Sequence, residues 1–221
     1  MTAVFAFAFG RKAVVVTDTL RVDPGGFFAN RTVQKSYCWK NLIPFGGAGS
    51  GAFIQQVADL MSISENQYNA SEVDFLRAFE EARKQVIAAI HSSSDPKKKA
   101  VAHGVVLAAV PALSAEAHIL RLDFATGEVI TCHGQFAAEG TRPSEFAEIA
   151  RAVLSEWDET DLEANRLALA CIADAVSLCP EDVGWPMDLR VAESGVSGSH
   201  MAFHLRLDPR MPKDFLFLHQ G

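Results

Sequence analysis

The stretch TAVFAFAFGRKAVVVTD, residues 2–18, decides the fold that we expect for this chain. Phenylalanines at every second position of residues 5–9 alternate with alanines, as on a strand with one buried face. A turn at Gly10 leads to a second apolar run, residues 13–18. Two such runs joined by a short turn predict an antiparallel hairpin whose first strand starts at Thr2.

Length and composition predict one globular domain over residues 1–221. The chain has 20 basic and 27 acidic residues, a net charge of −7, and no basic stripe of the kind that binds nucleic acid. No run of apolar residues reaches the length of about 18 residues that a membrane helix requires. The first residues lack the pattern of a secretory leader, so we expect a cytoplasmic protein without nucleic-acid or membrane partners.

The cysteines and histidines predict neither a metal site nor a cofactor. None of the four cysteines lies in a C-x-x-C pair, so a zinc ribbon or redox motif is not expected. His200 and His204 are four residues apart, a spacing that suits a metal on a helix. Their segment, HMAFHLRL, is instead typical of a strand.

The elements follow in blocks of strands, two helices, strands, two helices and strands. Strands are predicted at residues 2–9, 13–18, 33–38, 41–45, 102–110, 116–123, 127–132, 187–193 and 200–206. A glycine cluster at 46–51 breaks the chain before the first helix, and the other helices begin at Ser71, at Pro143 and near residue 160. This order predicts an α+β fold, a four-layer α/β/β/α sandwich of two antiparallel sheets flanked by helix pairs.

Thr2 is a candidate nucleophile. Initiator methionine is normally removed before a small residue, which leaves Thr2 with a free α-amine at the start of the first strand. A threonine hydroxyl needs an adjacent base, and this amine has a reference pKa of about 7.7–8.0. One residue thus supplies both the nucleophile and the base.

Three further features complete a catalytic arrangement. Asp18 ends the second strand, and Lys35 lies in the next predicted strand, where a buried lysine needs an acidic partner. Lys35 would favour the alkoxide of Thr2, and Asp18 would hold Lys35. Backbone N–H groups of the glycine cluster, which opens a helix, would face a developing oxyanion.

These motifs resemble those of proteasome β-type subunits and their bacterial relatives, in the N-terminal nucleophile (Ntn) hydrolase superfamily. A Thr-led strand TAVFAFAF, a strand VVVTD, a segment TVQK and a turn FGGAGSGAF occur in the family's order and spacing. The resemblance implies that Thr2 is the nucleophile, Lys35 the activating cation and Asp18 its anchor. The oxyanion donor is the backbone N–H of either Gly47 or Gly49.

The sequence departs from the family pattern at two supporting hydroxyls. Gly140 stands where the family has a serine beside the nucleophile's amine, so Glu139, Thr141 or ordered water would have to substitute. In the segment EDVGWPM, Asp182 matches a further family aspartate, but Trp185 replaces the family's second serine.

The resemblance also implies a substrate and partners. It predicts a threonine endopeptidase that cleaves peptides or unfolded proteins inside a homo-oligomeric ring, with an ATP-dependent unfoldase as a candidate partner. The positions that match the specificity pocket include Arg21 and Val33, and Arg21 favours acidic side chains before the cleaved bond. The alternatives are a catalytically silent scaffold or assembly protein of the same fold, and a small-molecule amidase.

Overall fold

The computed structural model describes residues 2–21, 31–49, 51–92, 104–112, 116–156, 164–195 and 200–208. The strands are β1 (Ala3–Phe9), β2 (Lys12–Asp18), β3 (Leu20–Arg21), β4 (Arg31–Thr32), β5 (Ser36–Trp39), β6 (Ile43–Gly49), β7 (Gly104–Val110), β8 (His118–Asp123), β9 (Val129–Cys132), β10 (Phe136–Gly140), β11 (Met187–Ser194) and β12 (His200–Leu207). The helices are α1 (Gly51–Ser64), α2 (Glu72–Ser92), α3 (Pro143–Ser155) and α4 (Ala164–Leu178), with a short 3₁₀ helix at Glu65–Gln67.

Ten of these strands form two five-stranded antiparallel sheets. The first sheet has the order β10-β1-β2-β11-β12, and the second has the order β5-β6-β7-β8-β9. The predicted hairpin is present, since β1 pairs with β2 from Val4 opposite Thr17 to Phe9 opposite Lys12. Strand β1 therefore lies inside the first sheet, between β10 and β2.

A helix pair covers the outer face of each sheet, and this confirms the predicted four-layer sandwich. Helices α3 and α4 pack on the first sheet, and α1 and α2 pack on the second. Helix α2 has the expected N-terminal cap, in which the Asp74 N–H donates to Ser71 Oγ at 3.2 Å. The Asn69 N–H donates back to the Asp74 carboxylate at 3.0 Å.

Strand β1 is buried on both faces, so the prediction of one buried face is wrong. Phe5 and Phe7 pack among the helices of the first sheet, whereas Val4, Ala6 and Ala8 face the second sheet. The alternation of phenylalanine with small residues thus separates a helix side from a sheet side. Small side chains between the sheets let two backbones pack closely, which encloses the start of β1.

Two other expectations need correction. The glycine cluster is not a break, because β6 continues through Gly46 and Gly47 to Gly49, with backbone pairing to β7 that needs no side chain. Strand β10 was not expected, yet it pairs with β1 along five positions. Its alanine-rich sequence is short and partly buried throughout, so it lacks the alternation that marks other strands. The predicted start of α4 near residue 160 lies outside the described residues.

Within the described part of the chain, no helix is long and apolar enough to cross a membrane.

The packing between the sheets gives a test of the fold. Ile119 is fully buried between the two sheets, whereas Ile63 on α1 is 80% exposed. Ile119→Ala should lower the free energy of unfolding by about 2–5 kcal/mol through lost burial and a cavity. Ile63→Ala, the matched control, should change it by less than about 0.5 kcal/mol. Denaturant unfolding measures both, and equal effects would contradict this arrangement.

Candidate active site

Thr2 precedes β1 and is buried, with only 5% of its surface exposed. The Thr141 N–H, just beyond β10, donates to the Thr2 carbonyl at 3.2 Å. Gly140 lies against the same carbonyl, since a Cβ at Gly140 would be 2.0 Å from the Thr2 oxygen. Its φ of 146° also favours glycine. The end of β10 thus fixes the backbone of Thr2 on one side.

The Asp18 carboxylate fixes the chain on the other side. Asp18 is fully buried at the end of β2. Its Oδ1 accepts the N–H of Ala3 at 2.9 Å, and its Oδ2 accepts the N–H of Leu20 at 3.0 Å. Ala3 directly follows Thr2, so this side chain binds the backbone next to the candidate nucleophile.

Lys35 completes this cluster from the segment between β4 and β5. Its ammonium nitrogen lies 3.1 Å from Asp18 Oδ1 and 3.0 Å from Oδ2, and donates to the Leu20 carbonyl at 2.5 Å. Only 6% of Lys35 is exposed. Because one oxygen of Asp18 accepts both Ala3 and Lys35, the ammonium lies at the start of β1.

Burial and pairing shift the pKa values of Asp18 and Lys35 in opposite directions. Burial lowers the pKa of Lys35 below the ordinary lysine value, against the opposing charge of Asp18. Burial likewise raises the pKa of Asp18, against Lys35 and the hydrogen bonds from Ala3 and Leu20. Each side chain therefore depends on the other for its charged form.

The two glycines proposed as oxyanion donors differ in their surroundings. The Gly47 N–H donates to the Lys35 carbonyl at 3.2 Å, so this N–H is already used in a backbone hydrogen bond. Gly47 also lies against Ile54, whose Cδ1 would be 2.4 Å from a Cβ at this position. Gly49 is exposed at the end of β6, with φ of 109°. Of the two, Gly49 remains the better candidate for contact with a ligand.

A cavity of about 260 Å³ extends from Gly49 to Gly140, the residue packed against the Thr2 carbonyl, and Thr2, Asp18 and Lys35 are not among its lining residues. Its lining includes Gly49, Glu139 and Gly140. Glu139, an expected substitute for the missing serine, forms an ion pair with Arg121 at 2.6 Å. Arg121 thus holds Glu139 at the cavity wall.

Asp182 is buried in the turn after α4, and its N–H donates to the Cys179 carbonyl at 3.0 Å. The segment after this turn reaches Pro186, whose carbonyl accepts the N–H and the hydroxyl of Thr19, the residue that follows Asp18. Burial raises the pKa of Cys179, and the charges of Asp182 and Asp18 add to this. Asp182 is therefore in the same region as Asp18.

The two predicted specificity residues are only partly described. Val33 is partly buried, and its N–H donates to the Thr19 carbonyl at 2.9 Å. The backbone of Arg21 lies in β3, but its side chain is outside the described part of the structure. Among the described residues, no group of three or more His, Cys, Asp or Glu side chains is arranged to hold a metal.

Three solved structures share this architecture. A Gly-1 mutant of Anbu from Hyphomicrobium sp. strain MC1 matches with a TM-score of 0.69 and 16% identity, over 95% of this chain and 89% of that one. Anbu (ancestral beta-subunit) from Yersinia bercovieri gives 0.66 and 12%, over 95% and 89%. Eukaryotic HslV from Trypanosoma brucei gives 0.59 and 17%, over 86% and 99%.

This chain has the fold of proteasome-type Ntn peptidases. Anbu and HslV are both proteins of that type, so the resemblance given by the sequence motifs is confirmed at the level of fold. No protein-family model matches the sequence, and no curated protein matches it. The chemistry of this chain must therefore be derived from its own residues.

Sequence reasoning missed the backbone groups of the site. The Leu20 carbonyl accepts from Lys35, and the Ala3 N–H donates to Asp18. The contact of Gly140 and Thr141 with Thr2 depends on β10, which the sequence did not predict. No side-chain pattern encodes these contacts, because they come from the pairing of β1 with its neighbours.

The buried Asp18–Lys35 pair gives a quantitative test. Asp18→Asn or Lys35→Met alone should lower the free energy of unfolding by about 3–5 kcal/mol, because each leaves one buried charge unpaired. The double variant should cost less than the two single variants together. Their coupling should exceed about 1 kcal/mol in a double-mutant cycle followed by denaturant unfolding.

The control is the Lys84–Glu80 pair on α2, whose charged atoms are 3.3 Å apart and whose lysine is 68% exposed; Glu80 also binds Arg83, and the double-mutant cycle separates that contact. Lys84→Met and Glu80→Gln should couple by less than about 1 kcal/mol, because water and salt screen this pair. If the coupling between Asp18 and Lys35 is as small as that between Lys84 and Glu80, Asp18 and Lys35 do not form a buried pair in which each charge depends on the other.

Proposed function

We propose that this chain is a threonine-type peptidase whose nucleophile is Thr2, exposed as the first residue by removal of Met1. The observation that carries the proposal is the Asp18 carboxylate, which binds both the Ala3 N–H and the Lys35 ammonium. A buried cation needs an acidic partner, and Asp18 provides it. The same carboxylate binds the residue after Thr2, so the proposal places the charge of Lys35 near the terminal hydroxyl.

In the proposed reaction, Thr2 Oγ attacks the carbonyl carbon of a peptide bond. The α-amine of Thr2 takes the hydroxyl proton, directly or through water, and later delivers it to the leaving amine. The C–N bond breaks and leaves an ester on Thr2, which water hydrolyses to a carboxylic acid. Lys35 stabilises the developing alkoxide electrostatically, and Asp18 is a positioning residue that holds Lys35.

The Gly49 N–H is the proposed oxyanion donor. Gly49 borders the cavity that also contains Gly140, the residue packed against Thr2. A substrate carbonyl in that cavity would lie beside the end of β6. Gly47 is less suited, since its N–H donates to the Lys35 carbonyl. Asp182, buried in the turn beside the Asp18 strand, is the proposed partner of the Thr2 amine.

The proposed substrates are peptides or unfolded proteins, and the proposed assembly is a homo-oligomeric ring. Both follow from the fold shared with HslV and Anbu and from the Thr2, Asp18 and Lys35 motifs. An ATP-dependent unfoldase would supply unfolded chains to such a ring. Arg21 and Val33 remain the proposed specificity residues, beside the segment that carries Lys35.

A second candidate function is a scaffold protein of low or no activity. Gly140 and Trp185 stand where the family has hydroxyl groups, and Arg121 engages the nearby carboxylate of Glu139. This loss of amine-orienting groups favours the second candidate. The retained Thr2, Asp18 and Lys35 favour the peptidase. A small-molecule amidase would use the same chemistry on a smaller substrate.

Hydrolysis of a set of fluorogenic peptides separates these functions. Thr2→Ala should lower kcat/KM by at least about 10³-fold, because the nucleophile is lost. Lys35→Met should lower it by at least about 10²-fold through lost electrostatic stabilisation. Thr2→Ser should keep partial activity, since hydroxyl and amine both remain.

Exposed Thr131 and Lys84 provide the controls. Thr131→Ala and Lys84→Met should hydrolyse peptides at the parent rate. Mass spectrometry must first establish that each preparation begins at residue 2. A Thr2→Ala variant as active as the parent would refute the proposed nucleophile, and an inactive parent that begins at Thr2 would favour the scaffold.

Sedimentation velocity tests the proposed ring. The native protein should sediment at a multiple of the monomer mass across micromolar concentrations, because an interface of stable size survives dilution to that range. A single species at the monomer mass would contradict the ring, whatever the peptidase assay shows.

A further inference from the structure

A second cavity, of about 190 Å³, lies between strand β5, helix α1 and strand β11. The buried residues Trp39, Phe45 and Met61 form an apolar floor, and Arg190 of β11 contributes a guanidinium group. The polar residues Gln34 and Ser62 also line the cavity. None of the proposed catalytic residues lines this cavity. It is therefore distinct from the cavity beside Gly49.

Arg190 is an unusual residue to find in this position. Within the described part of the chain, its Nε is buried and has no hydrogen-bond partner. A charged donor that is removed from water without a partner costs folding free energy. Burial lowers the pKa of Arg190, although the charge of Asp188 opposes this. The guanidinium stays charged, because arginine does not lose its proton in proteins.

The neighbouring acids are bound to other groups. Asp188, two residues away, accepts from Arg206 Nε at 2.9 Å and from Arg206 Nη2 at 3.3 Å. Glu65 also lines the cavity, but its carboxylate accepts the backbone N–H of Lys40. Neither acid forms an ion pair with Arg190 in the described structure. A cation with directional donors thus lines the cavity beside apolar side chains.

We propose that this cavity binds a monocarboxylate with an apolar body. The carboxylate would pair with Arg190, whose planar fork matches its two oxygens. The apolar body would pack on Trp39, Phe45 and Met61. The negative charges of Asp188 and Glu65 disfavour a dianion such as phosphate. The site is independent of hydrolysis at Thr2.

Two sources share this chemistry, a free carboxylic acid and the C-terminal carboxylate of a peptide. The probes are 3-phenylpropanoate and the tripeptide Ala-Ala-Phe, each compared with its uncharged amide by titration calorimetry on the native protein. At least one acid should bind, and its amide should bind at least about tenfold more weakly. Tighter binding of the tripeptide acid identifies a chain terminus, and tighter binding of the small acid identifies a free ligand.

Substitution of Arg190 tests whether its guanidinium binds the carboxylate. Arg190→Met should weaken binding of the acid at least about tenfold and raise the melting temperature of the protein without ligand, because it removes a buried N–H donor that has no partner. A purely structural arginine would lower the melting temperature when replaced. Arg77→Met is the matched control, since the Arg77 side chain on α2 is 61% exposed, and it should leave binding unchanged.

Ser62→Trp keeps Arg190 and places a large side chain in the cavity, because Ser62 lines the cavity and is exposed. It tests the site even if Arg190→Met does not fold, and it should also abolish binding. The proposal is overturned if neither acid binds, if acid and amide bind equally, if phosphate binds more tightly than the acids, or if binding survives both Arg190→Met and Ser62→Trp.

Discussion

The Asp18 carboxylate is bound by three elements at once. Its oxygens accept N–H groups from Ala3 and Leu20 and two contacts from the Lys35 ammonium. Through this fully buried side chain, the end of β2 is tied to the start of β1, to β3 and to the segment before β5. Removal of water makes each of these contacts stronger and each unpaired charge more costly. The position of Thr2 relative to Lys35 depends on this arrangement.

The layers explain how Thr2 and the start of β1 become buried. Strand β1 lies between β10 and β2, with phenylalanines toward the helices and small residues toward the second sheet. Terminal residues usually fray unless they are tied into a sheet. Here Gly140 packs on the Thr2 carbonyl, and the Thr141 N–H binds the same oxygen. The first residues thus have a fixed geometry that a terminal nucleophile would require.

The sequence predicts the layers and the charged pair well because both depend on side-chain type. The order of strands and helices gives the sandwich, and a lysine near a strand-end aspartate gives the pair of Lys35 and Asp18. The resemblance places Gly140 near Thr2, but the sequence does not predict β10, whose alanines carry no alternation, nor the close packing of Gly140 on the Thr2 carbonyl. It also does not distinguish Gly47 from Gly49, since the difference is a backbone hydrogen bond to Lys35. The sequence also does not single out Arg190, because its unpartnered Nε and its place in a cavity result from the packing of β11 near β5.

The central claim is that Thr2 is a nucleophile activated by its own amine and by Lys35. The most direct measurement is tandem mass spectrometry of the native protein after treatment with a hydroxyl-directed peptide electrophile. The account predicts one inhibitor mass per active chain, attached at residue 2, and no adduct when the α-amine has been acetylated beforehand. An adduct at another residue, or none on protein that demonstrably begins at Thr2, would contradict it.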